Sequence, residues 1–225
     1  MNLLYNRGMS KIYVSANANE NLIEYLKSKC HDIVSVGPLK NVSKPISCHP
    51  DLLYCKLGSY VYAGDENLLG SKYPEDIIFN GFSSGKFFIH ATKYTYPPLL
   101  KKVRELGMNI VDVAQGYAKC SIVEVDENSI ITYDRGISQK AESAGMDVLL
   151  VSSGHVDLPG YSCGFIGGAG GLVGKEVIFN GNLAAHPDCS KIESFIRDKG
   201  LACKFFPDYP LTDIGSIVEE RTSHI

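Results

Sequence analysis

Apolar and polar residues follow one arrangement four times along the chain: an amphipathic helix, a small or polar stop, and a short strand rich in β-branched residues. In the second copy Leu99, Val103 and Leu106 share one helical face, which is typical of a helix packed on a sheet. Three of the helices are followed by a glycine where a helix end favours positive φ: Gly107, Gly145 and Gly200. The four segments are "NLIEYLKSKCHDIVSVG", "PLLKKVRELGMNIVDVA", "ISQKAESAGMDVLLVSS" and "SKIESFIRDKGLACKFF".

Strand-turn-strand patterns lie between these copies. "CSIVEVDENSIITYD" and "LLYCKLGSYVYAG" each predict a hairpin, and "SCGFIGG" with "KEVIFNG" and "DIIFNG" with "KFFIHA" predict two more. Units of roughly 45 residues with a ββαβ pattern would fit about five times into the chain. We therefore predict a single α/β domain over residues 1–225, a closed ring of about five ββαβ-like units. Its first and last strands, in "KIYVSA" and "LTDIGSI", would pair, although the second unit lacks a clear helix.

Charge and composition limit the partners. The net charge is -3, and lysines and arginines are scattered, so neither nucleic acid nor an anionic membrane is expected as a partner. The first residues contain no long apolar run, whereas a membrane span needs about 20 apolar residues. We expect a cytoplasmic protein, and the sequence does not indicate an oligomeric state.

The cysteines do not form a recognisable framework. Seven is an odd number, and no two cysteines have the Cys-x-x-Cys spacing of a zinc site. The sequence therefore predicts reduced thiols that pack as small apolar side chains, with no metal and no cofactor.

Several short motifs carry a resemblance to known proteins. "SSGHVD" resembles the Gly-His-x-Asp segment of guanidino-modifying enzymes such as agmatine deiminase. The stretches "QGYAKCSIVEVDENSIITYDRGI", "GYSCGFIGGAGG" and "LTDIGSI" are similar to an uncharacterised bacterial family with that fold, the pentein or α/β-propeller fold. The similarity to the bacterial family covers most of the chain from about Cys48 onward, whereas that to the catalytic families is confined to short motifs.

The resemblance implies roles for several residues. His155 would carry protons as general acid/base, and Asp157 would orient it or bind a substrate nitrogen. Carboxylates of such enzymes hold a planar guanidinium by paired hydrogen bonds, and Asp51 and Asp213, with His49, are the candidates here. The alternative for His155 is a loop histidine fixed by a nearby carboxylate.

The nucleophile of the catalytic families has no counterpart here. Their cysteine lies near the C-terminus, but the matching segment "PLTDIGSIVEE" contains Ser216 and no cysteine. A serine hydroxyl would need a stronger base than a thiol does. Cys163 and Cys120 are the remaining candidates, although each fits a structural role.

Two functions follow from this comparison. The first is a central pocket for a guanidinium or amidinium ligand in a degenerate C–N hydrolase or amidinotransferase relative. The alternative is a non-catalytic pentein that binds a macromolecule, as ribosomal anti-association factors of this fold do.

Two further motifs admit structural explanations. Gly168, Gly170 and Gly174 resemble a nucleotide-binding loop, but such a loop must open a helix, and an extended "KEVIFNG" follows. A tight hairpin loop that permits close backbone approach is the better interpretation. In "HPD" at 186–188 we expect Asp188 to cap the following helix, and Ser190 with Glu193 could form a capping box.

Overall fold

Small β-sheets joined by helices make up the residues that the computed structural model describes, 10–29 and 31–221. Within these residues there are four three-stranded sheets and one two-stranded sheet. The strands are β1 (Lys11–Ser15), β2 (Asp32–Val36), β3 (Tyr54–Leu57), β4 (Tyr60–Ala63), β5 (Phe82–Ser83), β6 (Phe87–His90), β7 (Asn109–Asp112), β8 (Ile122–Glu124), β9 (Ser129–Thr132), β10 (Asp147–Leu150), β11 (Gly170–Val173), β12 (Glu176–Phe179), β13 (Ala202–Lys204) and β14 (Val218–Glu220). The α-helices are α1 (Glu20–Ser28), α2 (Pro97–Glu105), α3 (Ala118–Ser121), α4 (Arg135–Ser143) and α5 (Cys189–Asp198).

Three of the sheets repeat one ββαβ pattern. An antiparallel strand pair is followed by a crossover helix and a third strand that pairs in parallel, in β5–β6–α2–β7, β8–β9–α4–β10 and β11–β12–α5–β13. The predicted faces explain the packing, since Leu99 and Val103 of α2 are fully buried. The glycines predicted after three helices all have positive φ, at Gly107, Gly145 and Gly200.

The two ends of the chain meet in the fourth three-stranded sheet. β1 pairs in parallel with β2 across α1 and antiparallel with β14, where Ile12 lies opposite Glu219. The first and last strands therefore pair as predicted, but the last strand begins at Val218 rather than within "LTDIGSI". The segment before it remains irregular and is available to build a site.

The β3–β4 hairpin is the sheet that lacks a helix, as the sequence indicated. The sheets contact one another in succession: β14 contacts β3 and β11, β11 contacts β8, and β3 contacts β5. Helix α3, which leads into β8, also contacts β5 and β6.

Two strand predictions are wrong in position. Residues 163–165 are irregular and 166–169 form turns, so β11 begins only at Gly170 and pairs with β12 across a two-residue turn at Gly174. Residues 77–80 form a turn closed by a hydrogen bond from the Asn80 N–H to the Ile77 carbonyl, so that Phe82 and Ser83 supply the strand instead. Both segments contribute residues to the candidate site and do not pair in a sheet.

Two other sequence expectations concern membranes and thiols. No helix in residues 10–29 and 31–221 is long and apolar enough to cross a bilayer. The cysteines among those residues are free thiols, and Cys30 lies outside them.

Candidate active site

Side chains from three distant parts of the chain meet in a buried polar cluster, formed by His49, Asp51, Cys120, Asp213 and Ser216. His49 and Asp51 come from the short helical turn before β3, Cys120 from α3, and the other two from the segment before β14. Asp51 and Ser216 are 0% exposed, and the others are buried as well. A polar cluster this deeply buried needs internal partners for its hydrogen-bonding groups.

Asp51 is the centre of the hydrogen bonds. Its Oδ2 accepts from the Ser216 hydroxyl at 2.6 Å and from the Cys120 thiol at 3.0 Å. Its Oδ1 is buried and has no hydrogen-bond partner among the described residues. Oδ2 thus accepts two hydrogen bonds, whereas Oδ1 accepts none from the described residues.

Two asparagines that the sequence analysis did not select hold the cluster in place. Asn80 donates to the Asp51 carbonyl at 3.0 Å and accepts from the N–H groups of Lys119 and Cys120. Asn180 donates to the Thr212 carbonyl at 3.1 Å, next to Asp213. Both asparagines belong to the repeated "IFNG" motif, which was the signal that could have identified them.

The glycine-rich segment lets the backbone approach Asp213 closely. The N–H of Gly168 donates to the Cys120 carbonyl at 2.8 Å, and its carbonyl accepts from Ile214 and Ser216. A Cβ at position 168 would overlap the Asp213 carboxylate. The close backbone approach is thus found at Gly168, before β11, whereas the hairpin turn lies at Gly174 between β11 and β12 and no helix follows it.

Burial dominates the electrostatics of the cluster. It raises the pKa of Asp213 to about 6 and raises that of Cys120 well above its ordinary value. It also lowers the pKa values of His49 and of the fully buried Lys119. His49 Nδ1 lies 3.8 Å from Asp213 Oδ1, too far for a hydrogen bond, and burial favours the neutral imidazole.

His155 and Asp157 lie outside this cluster, and both side chains are exposed. The His155 ring packs edge-on against His186, with ring centroids 5.3 Å apart. Asp157 approaches the cluster only through its backbone, because its carbonyl accepts the N–H of Asp213 at 2.8 Å. The structure therefore brings together three of the predicted site residues, with Cys120, and holds the other two on a neighbouring loop.

That loop is fixed at its start by the "HPD" motif. Asp188 Oδ2 accepts the Ser152 N–H at 2.8 Å, and the Ser152 carbonyl lies 3.2 Å from His186 Nε2. Asp188 is the N-cap residue of α5 but makes no side-chain capping bond, so both capping predictions are wrong. Its carboxylate instead joins α5 to the loop that carries His155.

A small, partly open cleft lies between this loop and the glycine-rich segment. Cys163 is half-buried and lines it, beside Tyr133 and Phe165, whose rings stack with centroids 5.2 Å apart. The Phe165 N–H donates to Asp213 Oδ2 at 2.9 Å, which connects the cleft to the buried cluster. The remaining lining residues are Ser152, Ser153, Gly154, Val156, Gly164 and Ile166.

Comparison with known proteins identifies the family at sequence level. Residues 13–218 match the model of a family described as a family of unknown function, DUF6873. The chain belongs to this family. No curated protein matches it.

Solved structures of dimethylarginine dimethylaminohydrolase share the fold of this DUF6873 member. One is an adduct with 4-chloro-2-hydroxymethylpyridine, at TM-score 0.52 and 10% identity over 89% of this chain and 92% of the other. Another is a histidine-to-glycine variant with S-methyl-L-thiocitrulline, at TM-score 0.54 and 10% identity over 87% and 91%. At this identity the likeness establishes the mixed α/β fold of the penteins and nothing finer.

Proposed function

We propose that the protein binds a small molecule bearing a guanidinium or amidinium group in the cleft beside Cys163. The observation that carries this proposal is the link between the cleft and a buried carboxylate, since Phe165 lines the one and donates its N–H to Asp213. Asp157 is exposed and follows Val156, which lines the cleft, so it offers a second carboxylate, and two carboxylates suit a planar cation. In this proposal His49 and Asp51 belong to the buried cluster that holds Asp213 in position.

The aromatic walls of the cleft favour the same ligand class. Tyr133 and Phe165 stack on each other, and Tyr117 lies near Phe165 with ring centroids 6.2 Å apart. A flat delocalised cation gains from contact with aromatic faces, by about 0.5–2 kcal/mol.

We also infer that one domain encloses this site and that its five sheets close into a ring. The successive contacts from β14 through β3 and β5, and from β14 through β11 and β8, support that arrangement. The pairing of β1 with β14 would close the ring between the two ends of the chain.

Turnover of the ligand is expected to be weak or absent, because the segment that corresponds to the nucleophile of the catalytic families contains Ser216 and no cysteine. A covalent step needs an accessible thiol, and Cys120 is 3% exposed with a raised pKa. Cys163 lines the cleft, whereas Ser216 is fully buried and its hydroxyl already donates to Asp51. If the protein is an enzyme, Cys163 is the candidate nucleophile and His155 the candidate acid/base.

Calorimetry with arginine, agmatine and methylated arginines tests the binding proposal, with neutral citrulline as the matched uncharged ligand. We expect a cationic ligand to bind, citrulline not to bind, and Asp157→Asn and Asp213→Asn each to weaken binding by about tenfold or more. Asp198→Asn, an exposed change in α5, is the control. The proposal fails if no cationic ligand binds, or if Asp198→Asn weakens binding as much as the other two changes.

An assay for ureido products tests turnover with the same ligands. We expect little or none in the wild-type protein. Robust turnover lost in Cys163→Ala would identify a nucleophile that has moved within the fold, and loss in Cys120→Ala alone would assign that role to the buried thiol.

A further inference from the structure

We propose that His49, Asp51 and Cys120 bind one divalent metal ion of the zinc class. One ligand atom from each side chain lies within 4.8 Å of the other two, and all three residues are buried. This inference goes beyond the proposed function, because the three ligands lie in the buried cluster and none of them lines the cleft.

The donor set determines the class of metal. An imidazole nitrogen, a carboxylate oxygen and a thiolate sulfur together suit Zn²⁺, whereas Mg²⁺ and Ca²⁺ take oxygen ligands. Bonds to zinc of about 2.0–2.3 Å in a tetrahedral arrangement put ligand atoms roughly 3.5 Å apart. Cys120 Sγ lies 3.0 Å from Asp51 Oδ2, so small side-chain movements would let the thiolate and the carboxylate, through Oδ1 or both oxygens, bind one ion. Three protein ligands would leave one coordination position open.

The second observation is independent of the donor set. Asp51 is 0% exposed, yet its Oδ1 has no donor among the described residues. A buried carboxylate oxygen normally has a partner, since leaving it without one costs about 1–3 kcal/mol. A metal ion would supply that partner without a change of fold.

The surroundings can support a metal-bound histidine. Metal-binding histidines usually donate their other ring N–H to a carboxylate or carbonyl. Asp213 Oδ1 lies 3.8 Å from His49 Nδ1, close enough to accept that N–H after a small shift while Nε2 binds the ion. Asp213 is itself fixed by the N–H groups of Phe165 and Gly215.

Charge also balances on binding. The ion brings two positive charges, the Asp51 carboxylate offsets one, and the Cys120 thiol loses its proton to solvent and offsets the other. No redox change takes place. Buried Lys119 opposes a cation, and Glu124, which also pairs with Lys56 at 2.7 Å, offsets part of that charge.

Cobalt titration of the full-length protein, after chelator treatment under reducing conditions, tests the site. We expect one Co²⁺ per chain, a sulfur-to-cobalt charge-transfer band and d–d bands typical of tetrahedral geometry, all displaced by Zn²⁺. Cys120→Ser should remove the charge-transfer band, and His49→Gln should weaken binding by at least about tenfold. Cys203→Ser, on β13 outside the cluster, should keep the band.

Several results would overturn the proposal: no stoichiometric cobalt in the wild-type protein, bound cobalt without the sulfur band, or a band that persists in Cys120→Ser. Circular dichroism checks that each variant folds. Should Cys120→Ser not fold, His49→Gln replaces it, and cobalt binding that is unchanged in that variant would count against the site. The ligand calorimetry above is read separately, so either proposal can fail alone.

Discussion

The hydroxyl of Ser216 donates to Oδ2 of Asp51 over 2.6 Å, although the two residues are 165 positions apart in sequence. Ser216 has φ of 72°, in the left-handed region that costs a non-glycine residue about 1–2 kcal/mol. The preceding Gly215 also has positive φ, and a Cβ there would overlap His49. The segment before β14 thus accepts an unfavourable backbone conformation to bring a hydroxyl against the buried carboxylate.

Replacing that hydroxyl should destabilise the protein. We expect Ser216→Ala to lower the free energy of unfolding by about 1–3 kcal/mol, because Asp51 loses a donor and the backbone strain remains. Urea unfolding measures the change. Ser143→Ala, on an exposed position of α4, should leave stability within about 0.5 kcal/mol, and an equal loss in both variants would contradict the prediction.

Asn80 should matter for stability although it is fully buried and is not one of the residues that line the cleft. Asn80→Ala leaves the Cys120 N–H and the Asp51 carbonyl without their Asn80 partner, so we expect a loss of about 1–3 kcal/mol in urea unfolding; the Lys119 N–H keeps the main-chain carbonyl of residue 80. Asn21→Ala, exposed on α1, serves as the matched change and should be nearly neutral. Equal stability of the Asn80 variant and the wild type would show that the hydrogen bonds described here are replaceable.

Gly168 should not tolerate a side chain. A methyl group at this position would overlap the Asp213 carboxylate, so Gly168→Ala should destabilise by about 1–3 kcal/mol or more. Gly37→Ala, with nothing within 4 Å of its added Cβ, is the comparison and should be close to neutral. Thermal unfolding of the two variants side by side decides the matter, and comparable midpoints would refute the close approach.

The contacts of His186 predict a dependence of stability on pH. Burial lowers its pKa; its Nδ1 accepts the Asp188 N–H at 3.1 Å, and its Nε2 can then donate to the Ser152 carbonyl. The charges that face it are His155, which lowers the pKa further, and the Asp188 carboxylate, which raises it. The neutral form is therefore favoured in the folded state. The contribution of neutral His186 to the free energy of unfolding is complete above the ordinary histidine pKa of about 6.5. It is lost as the pH falls through the lowered pKa of His186 in the folded state.

Urea unfolding at a series of pH values measures this effect. His186→Gln should flatten the decline in stability between about pH 7 and pH 5. His155→Gln should reduce the decline without abolishing it, because it removes only the neighbouring like charge. Buried His90, whose pKa burial lowers to about 4, contributes in the same direction in every variant and cancels in the comparison. If the free energy of unfolding has the same pH dependence in the wild type and in His186→Gln, the predicted role of His186 is ruled out.

The sequence by itself determined the repeating elements. The helical faces of α2 and the glycines after three helices depend on residues within one turn or one strand of each other, and local periodicity reports such relations directly. The pairing of the two chain ends was also within reach, because a strand without a local partner has to find one elsewhere.

Only the tertiary structure decided which residues meet. His155 and Asp157 carried the recognisable motif and are exposed on a loop, while Asp51 and Cys120, 69 positions apart, lie in hydrogen-bond contact. That contact depends on how separate sheets are set against one another, and no periodicity within a segment encodes it. The orphaned Asp51 Oδ1 likewise exists only after burial, because every carboxylate oxygen of the unfolded chain is hydrated.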